Sequence, residues 1–199
     1  MKKLILLPLA TLLMLTGCNQ PSGGGDGGDP EPSEPVLLVK YDFSAVTAKG
    51  SKINADVADD KFASYKVDGE GSITISEINL FYEGNGRGGA LENQGGMLKF
   101  GKGDENAKLV FTANETIKKM VLNCHSFYVS SEEYPVNDTN LIKVNGADAV
   151  ALPYNANATG EDLEFTIDSK TVTIETANNN PTEYTTAGRG FLFSLTLYK

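Results

Sequence analysis

The chain has 199 residues and a formal net charge of −9, with 26 acidic side chains, 17 basic side chains and one histidine. This acidic balance argues against a nucleic-acid partner and against electrostatic attraction to anionic lipid. Two cysteines and one histidine are too few for a disulfide framework or for the common zinc sites, so we expect the hydrophobic core alone to hold the fold.

The first 18 residues combine a basic start with a short apolar segment. Lys2 and Lys3 precede an apolar run over residues 4–15, which is the layout of a secretory signal peptide and is shorter than the roughly 20 residues of a membrane span. The run ends in LTGC, residues 15–18, which resembles the lipobox of bacterial lipoproteins. That resemblance implies removal of residues 1–17 and anchoring of the mature chain in a membrane through acyl groups on Cys18.

Residues 18–35 are predicted to form a tether. After Cys18 this stretch contains no aliphatic side chain, so it cannot bury enough apolar surface to order itself. A flexible chain of this length has a mean reach of about 20–25 Å. Its acidic residues resemble the export signal of Bacteroidota surface lipoproteins, which implies display on the outer face of the outer membrane. They are Asp26, Asp29, Glu31 and Glu34.

Residues 36–199 are predicted to form one all-β domain, because apolar and polar residues alternate repeatedly. The segments 161–168 and 171–176 flank Asp168-Ser169-Lys170 and are predicted to form a hairpin. In the last segment we expect Phe191, Phe193, Leu195 and Leu197 to share one buried face. About ten short strands with Gly- and Asn-rich connections predict an antiparallel β-sandwich, specifically a jelly roll. The predicted strands are 36–43, 72–80, 97–100, 107–112, 117–129, 141–145, 149–152, 161–168, 171–176 and 190–198.

The same domain is similar in rhythm to jelly-roll modules of Bacteroidota that occur alone or beside secreted enzymes. The similarity lies in LKFGKGDENAKLVFT, IKKMVLNC, IKVNG and the closing GRGFLFSLTLYK. It implies the fold and includes no catalytic signature.

No catalytic constellation is evident. Cys124 and His125 are neighbours in a predicted strand, so they point to opposite faces and cannot form a catalytic pair. We expect Cys124 to pack in the core and His125 to lie wet or half-covered on the other face. Paired acids such as Glu132-Glu133 lie in loop-like sequence, although carboxylates alone can hydrolyse glycosides. The chain is therefore predicted not to be an enzyme, and a glycoside hydrolase or an enzyme accessory module stays open as an alternative.

Three long connections and one further loop are predicted to lie at one end of the sandwich, if strand directions alternate from residue 107 onward. Three of them carry one tyrosine each, Tyr134, Tyr154 and Tyr184, and the fourth is segment 101–106. Loops on a rigid scaffold commonly carry binding residues, and a tyrosine ring can stack on a sugar. The same tyrosines could instead plug the end of the core. In the glycine-rich segment 83–96, Arg87 could bond a carboxylate or carbonyl of a ligand or of its own chain.

Hard oxygen donors near this end could hold calcium. The candidates are Asp104, Glu105 and Asn106, or Asp138 from a neighbouring loop, but their spacing matches no recognised calcium loop. No other cofactor is expected.

These features predict a lipid-anchored outer-membrane protein, exposed at the cell surface, whose sandwich binds a ligand without catalysis. A glycan is the favoured ligand. The alternative is a structural or adhesive surface lipoprotein that binds other proteins.

Overall fold

A computed structural model of the chain describes residues 34–86, 88, 91–127, 140–155, 157–179 and 187–199. These residues form one α-helix and eleven β-strands: β1 (Leu37–Asp42), β2 (Ser51–Ile53), α1 (Ala55–Tyr65), β3 (Lys66–Asp68), β4 (Ile73–Asn79), β5 (Phe81–Asn85), β6 (Gln94–Phe100), β7 (Lys108–Ser126), β8 (Asn140–Val144), β9 (Val150–Ala151), β10 (Glu161–Asn178) and β11 (Gly190–Tyr198).

All strand pairs are antiparallel, and they join into one hydrogen-bonded sheet in the order β2-β5-β6-β11-β7-β10-β8-β9. Two branches leave this path: β4 pairs with the first half of β7, and β1 pairs with β11 and with β3. The sheet folds over onto one core, so the predicted all-β antiparallel sandwich is confirmed.

The fold-over lies in the middle of β7 and β10, which pair with each other from Glu161 opposite Cys124 to Glu175 opposite Lys108. Between these ends Ser169 lies opposite Ile117, whereas Thr171 lies opposite Thr112, so β7 contains extra residues there. Extra residues in one strand of a pair bend it and increase its twist. The hairpin predicted over 161–176 is wrong, because β10 continues through it, and the predicted division of 107–129 into two strands is wrong for the same reason.

The polar residues that predicted a turn at 168–170 lie at this bend. Lys118 Nζ lies 2.6 Å from Asp168 Oδ1, and Lys170 Nζ donates to the Asn114 carbonyl oxygen at 3.2 Å. A bend between two layers exposes the chain to water as a turn does, so both select polar side chains.

Because β7 and β10 bend, both ends of each strand return to the same end of the sandwich. The Ala107 N–H donates to Thr176 Oγ1 at 2.8 Å, and two residues further Asn178 pairs with Asn140. Asn140 Nδ2 in turn donates to the Phe127 carbonyl oxygen at 2.7 Å. This end, called here the loop end, holds the β6–β7, β7–β8, β9–β10 and β10–β11 connections.

The main core lies between the folded halves of the sheet and collects alternate side chains from both. Cys124 belongs to it, as predicted, with Met120 and Leu122 of the same strand. The largest fully buried side chains of this core include Phe43, Phe62, Phe111, Leu38, Ile53, Leu98, Leu109, Ile117 and Ile142.

Helix α1 was not predicted from the sequence, and it covers one side of the core. Its buried side chains are Ala58, Phe62 and Tyr65, a spacing that places them on one helical face. Phe62 contacts Phe43 edge to face, with ring centroids 5.9 Å apart. A network of such aromatic contacts fixes the helix on β1.

A buried carboxylate on β5 also holds α1. Glu83 Oε1 accepts a hydrogen bond from Lys61 Nζ at 3.0 Å and another from the Tyr65 hydroxyl. Burial, reinforced by the Glu83 carboxylate, raises the pKa of the Tyr65 hydroxyl above its ordinary value. Glu83 is the one acidic side chain that is buried within the described part of the chain, and its charge is compensated locally.

A bulge in β11 changes which residues face the core. Leu192 lies opposite Cys124 but Ser194 lies opposite Asn123, so Phe193 is an extra residue. One extra residue reverses the alternation of the side chains that follow. Leu195 and Leu197 therefore face the main core, whereas Phe191 and Phe193 pack in a second cluster with Met97, Phe127 and Leu91. The prediction that Phe191, Phe193, Leu195 and Leu197 share one face is therefore wrong, because of the bulge.

Among the described residues, no helix is long and apolar enough to cross a membrane.

Candidate functional site

The loop end is built from described residues that tie four connections together. The Gly188 N–H donates to Asn106 Oδ1 at 2.8 Å, which joins the β10–β11 connection to the β6–β7 connection. The Ala187 N–H donates to the Gly103 carbonyl oxygen at 3.2 Å between the same two connections. These connections therefore lie side by side.

Asn140, at the start of β8, makes three side-chain hydrogen bonds at the loop end. It is buried, with 8% of its surface exposed. Its Nδ2 donates to Ser126 Oγ at 2.9 Å and to the Phe127 carbonyl oxygen, while its Oδ1 accepts from the Arg189 N–H at 2.9 Å. One amide side chain thus joins the end of β7 and the start of β11 to β8, and holds the stems of two long connections.

The β9–β10 connection is held by His125 and Asn155. The Asn155 N–H donates to His125 Nε2 at 3.0 Å, and Asn155 Nδ2 donates to Glu161 Oε1 at 3.0 Å. His125 is completely buried, so the prediction that it lies wet or half-covered is wrong. It is covered because this connection, whose Tyr154 ring lies 5.6 Å from the His125 ring, folds over it.

Of the predicted loop tyrosines, Tyr154 is described and has 36% of its surface exposed. It lies beside His125 on the outer side of the sheet and does not fill the end of the core. Tyr134 and Tyr184 lie outside the described residues, and so does Arg87.

Of the predicted calcium ligands, the structure describes Asp104, Glu105 and Asn106. Lys102 Nζ lies 3.3 Å from Asp104 Oδ1 and 3.6 Å from Glu105 Oε2, and both acids are largely exposed. Asn79 Nδ2 also donates to Glu105 Oε1 at 2.9 Å. Asp138 lies outside the described residues, and those described include no group of three potential metal-ligating His, Cys, Asp or Glu side chains.

Cys124 and His125 lie on opposite sides of β7, as predicted, so they form no catalytic pair. Cys124 faces the main core, whereas His125 lies opposite Phe191 of the second cluster. Burial raises the pKa of the Cys124 thiol from 9.0 to about 12, with smaller contributions from Asp162 and Glu161. The thiol is therefore neutral and poorly nucleophilic at neutral pH.

A row of side chains crosses four strands on the outer face of the sheet, next to the loop end. Tyr82 on β5 lies opposite Lys99 on β6, Lys99 lies opposite Phe191 on β11, and Phe191 lies opposite His125 on β7. Directly opposite residues point to the same face. The bulge in β11 creates this row, because it places Phe191 outside the main core.

Two cationic and two aromatic side chains lie close together, and we call them the cation–aromatic cluster. Its members are Tyr82, Lys99, Phe127 and Arg189. Arg189 Cζ lies 4.3 Å from the centroid of the Phe127 ring, and Lys99 Nζ lies 5.3 Å from the same centroid. Lys99 Nζ also lies 5.6 Å from the centroid of the Tyr82 ring. Burial lowers the pKa of Arg189, and burial with the neighbouring Arg189 charge lowers the pKa of Lys99.

The sequence prediction missed this cluster, because Lys99 and Arg189 lie 90 positions apart and neither belongs to a recognisable motif. A signal was nonetheless present, since Lys99 interrupts the apolar stretch MLKF, residues 97–100. A charge inside such a stretch marks the outer face of a strand.

Comparison with protein-family models, curated proteins and solved structures finds no significant match for this chain. The fold and the loop end define an antiparallel β-sandwich with several connections gathered at one end.

Proposed function

We propose that the chain is a lipid-anchored surface protein whose β-sandwich binds a ligand, most favourably a glycan, at the loop end without catalysis. The observation that carries this proposal is the convergence of four connections on one end of the sandwich, with their stems fixed by Asn106, Asn140 and Asn155. Fixed stems lower the entropy that loops lose when they bind, and thus favour recognition.

Side-chain chemistry at the loop end also suits recognition. Tyr154 exposes part of its ring beside the buried His125. An exposed tyrosine offers a flat apolar surface and a hydroxyl group, which can stack on a sugar ring and bond to its edge.

A catalytic role has less support from the described residues. The buried carboxylate, Glu83, is already bonded to Lys61 and Tyr65. Cys124 and His125 face opposite sides of β7. The groups most suited to acid–base or nucleophilic chemistry are therefore engaged elsewhere or kept apart.

The adhesive alternative is favoured by one feature, the outer edge of β10. Over residues 161–170, β10 pairs with β7 on one side, and the described strands place no partner on its other side. An open edge can accept a strand from another protein, but charged residues discourage such pairing. This edge carries Glu161, Asp162, Glu164, Asp168 and Lys170, so we place ligand binding at the loop end first.

The membrane anchor of the proposal depends on the N-terminal sequence. Cys18 would carry the acyl groups, and residues 18–35 would hold the sandwich away from the lipid headgroups. Cells that express the full chain are labelled with a radioactive or clickable fatty acid. We expect a labelled band that Cys18→Ala abolishes, and protease added to intact cells should degrade the sandwich if it is displayed outside. An unlabelled wild-type band would contradict the anchor.

The ligand is tested with the acylated chain, purified from membranes in mild detergent, on a glycan array with and without calcium. Tyr154→Ala alone, and with Tyr134→Ala and Tyr184→Ala, should lower the signal at least about tenfold. Tyr198→Ala is the matched control, because it removes a partly buried tyrosine at the far end of β11. Equal loss in Tyr198→Ala, or no glycan bound by the wild-type chain, would contradict the proposal.

A further inference from the structure

We propose that Lys99 and Arg189 form an anion-binding subsite that holds a carboxylate or sulfate group of the ligand, so that acidic saccharides are preferred. This inference rests on the proposed function for the saccharide, although the anion-binding subsite can be tested separately. It is carried by the arrangement of the cation–aromatic cluster.

The first observation is two neighbouring cations, Lys99 and Arg189, that form no ion pair with any carboxylate of the described residues. Arg189 Cζ lies 4.3 Å from the centroid of the Phe127 ring, and Lys99 Nζ lies 5.3 Å from it. The ion pairs formed among the described residues involve other lysines, on other parts of the sandwich. In a chain with a net charge of −9, two adjacent cations that no described carboxylate neutralises are unexpected.

The second observation is an unmet hydrogen-bond donor. Arg189 Nε is buried and has no acceptor among the described residues. Leaving a buried donor without a partner costs free energy, and the positive charge increases that cost. An oxyanion that reached the guanidinium could accept from Nε and at the same time balance both charges.

The third observation is that Arg189 is already fixed in position. Its N–H donates to Asn140 Oδ1 at 2.9 Å, and its carbonyl oxygen accepts from the Phe127 N–H at 3.1 Å. The guanidinium then packs against the Phe127 ring, where cation–π attraction holds it. A planar guanidinium held in this way can bind a carboxylate or sulfate through two parallel hydrogen bonds.

The fourth observation concerns desolvation. Burial lowers the pKa of both cations, and the nearby Arg189 charge lowers the pKa of Lys99 further. A bound anion would reverse this and favour the charged form of Lys99. The exposed lysines of the chain, such as Lys170, remain hydrated and have no comparable reason to recruit an anion.

The neighbouring ring indicates what else the ligand offers. Tyr82 is half-buried beside Lys99, and the Lys99 ammonium lies 5.6 Å from its ring centroid. A ligand that combines a ring with an acidic substituent can contact both the aromatic ring and the cations. Because the chain as a whole repels polyanions, binding requires this local pair and does not follow from overall charge.

The anion-binding subsite is tested first without any saccharide. The melting temperature of the full chain in mild detergent is measured with increasing sodium sulfate, and with sodium acetate, at constant ionic strength. We expect a saturable rise of about 3–6 °C at ten times the dissociation constant. Lys99→Met should abolish that rise, whereas Lys170→Met, which removes an exposed lysine at the other end of the sandwich, should retain it. A rise that is the same in wild type and Lys99→Met reflects general salt stabilisation and overturns the subsite.

The saccharide is tested second, by calorimetry with an oligogalacturonide, a sulfated oligosaccharide and a neutral oligosaccharide of the same length. We expect at least tenfold tighter binding of one acidic probe, which identifies carboxylate or sulfate as the group recognised. Lys99→Met should remove that advantage and leave neutral binding unchanged. Arg189→Lys, which keeps the charge but loses the two-pronged geometry, should remove most of it.

The two experiments separate the two proposals. Anion binding without binding of any saccharide supports the subsite and contradicts the glycan function. Neutral and acidic saccharides bound equally, with no effect of Lys99→Met, support the glycan function and overturn the subsite.

Discussion

Replacement of Asn140 by alanine should destabilise the sandwich far more than loss of an exposed asparagine. The change removes three side-chain hydrogen bonds, to Ser126 Oγ, the Phe127 carbonyl oxygen and the Arg189 N–H. Each bond contributes about 1 kcal/mol, and a buried group left without a partner costs roughly 1–3 kcal/mol. Cavity water can satisfy part of this loss, so we expect a decrease of about 3–4 kcal/mol in the free energy of unfolding. For a domain of this size the melting temperature should fall by about 6–15 °C.

The assay is urea unfolding followed by far-ultraviolet circular dichroism, because the chain contains no tryptophan. The free energy of unfolding is extrapolated linearly to zero denaturant. Asn114→Ala is the matched control: Asn114 Oδ1 accepts a single exposed hydrogen bond, from the Ser72 N–H at 3.0 Å, and its loss should cost about 0.5–1 kcal/mol. If Asn140→Ala costs no more than this control, Asn140 does not join the strands of the loop end as argued.

Three further substitutions test the core, the helix and a tight connection. Burial raises the pKa of the Cys124 thiol to about 12 in the folded chain, so below pH 9 its contribution to stability is complete. Above pH 9 the thiol of the unfolded chain ionises first. The free energy of unfolding of the wild type should then fall by about 1.4 kcal/mol per pH unit relative to that of Cys124→Ala. If urea unfolding gives the same difference in the free energy of unfolding between the two proteins from pH 8 to pH 10.5, this prediction is contradicted. Phe62→Ala should cost about 3–5 kcal/mol and Val57→Ala, on the exposed side of α1, less than about 0.5 kcal/mol; similar urea midpoints would argue against packing of α1 on the core. Gly101→Ala should cost more than Gly146→Ala, since both have positive φ but a Cβ at Gly101 would lie 2.2 Å from a backbone oxygen, while one at Gly146 meets nothing within 4 Å. Equal melting temperatures would refute that reasoning.

The alternation of apolar and polar residues was sufficient to predict most strands but not their partners. Strands β1, β4, β8 and β11 were predicted within one or two residues of their bounds, because each has one face toward the core. Strands β2 and β3 have three residues each, too few for any periodicity. Helix α1 was missed although Ala58, Phe62 and Tyr65 follow a helical spacing, because the acidic residues between them resemble a solvated loop.

The bulge in β11 shows why the candidate site was harder to predict than the fold. Phe191, Phe193, Leu195 and Leu197 occupy every second position of the run 191–197, and polar Ser194 and Thr196 lie between the last three. The sequence therefore places all four apolar residues on one face. Only the pairing of Leu192 with Cys124 and Ser194 with Asn123 reveals the extra residue. The cation–aromatic cluster depends on that shift, and the shift is set by the neighbouring strand, whose register no local pattern encodes.

The predicted gathering of long connections at one end agrees with the structure even though the hairpin on which it depended is wrong. A hairpin and a strand bent across two layers both reverse the direction in which the chain travels along the sandwich. Such a reversal is marked by the polar residues 168–170 and by the extra residues of β7 opposite them, whether the chain forms a hairpin or a bent strand. The positions of connections therefore depend only on the number of reversals, which polar interruptions indicate. Pairing of β7 with β10 over nearly their whole length depends on contacts between residues about 40 to 70 positions apart, and for these the sequence offers no comparable local signal.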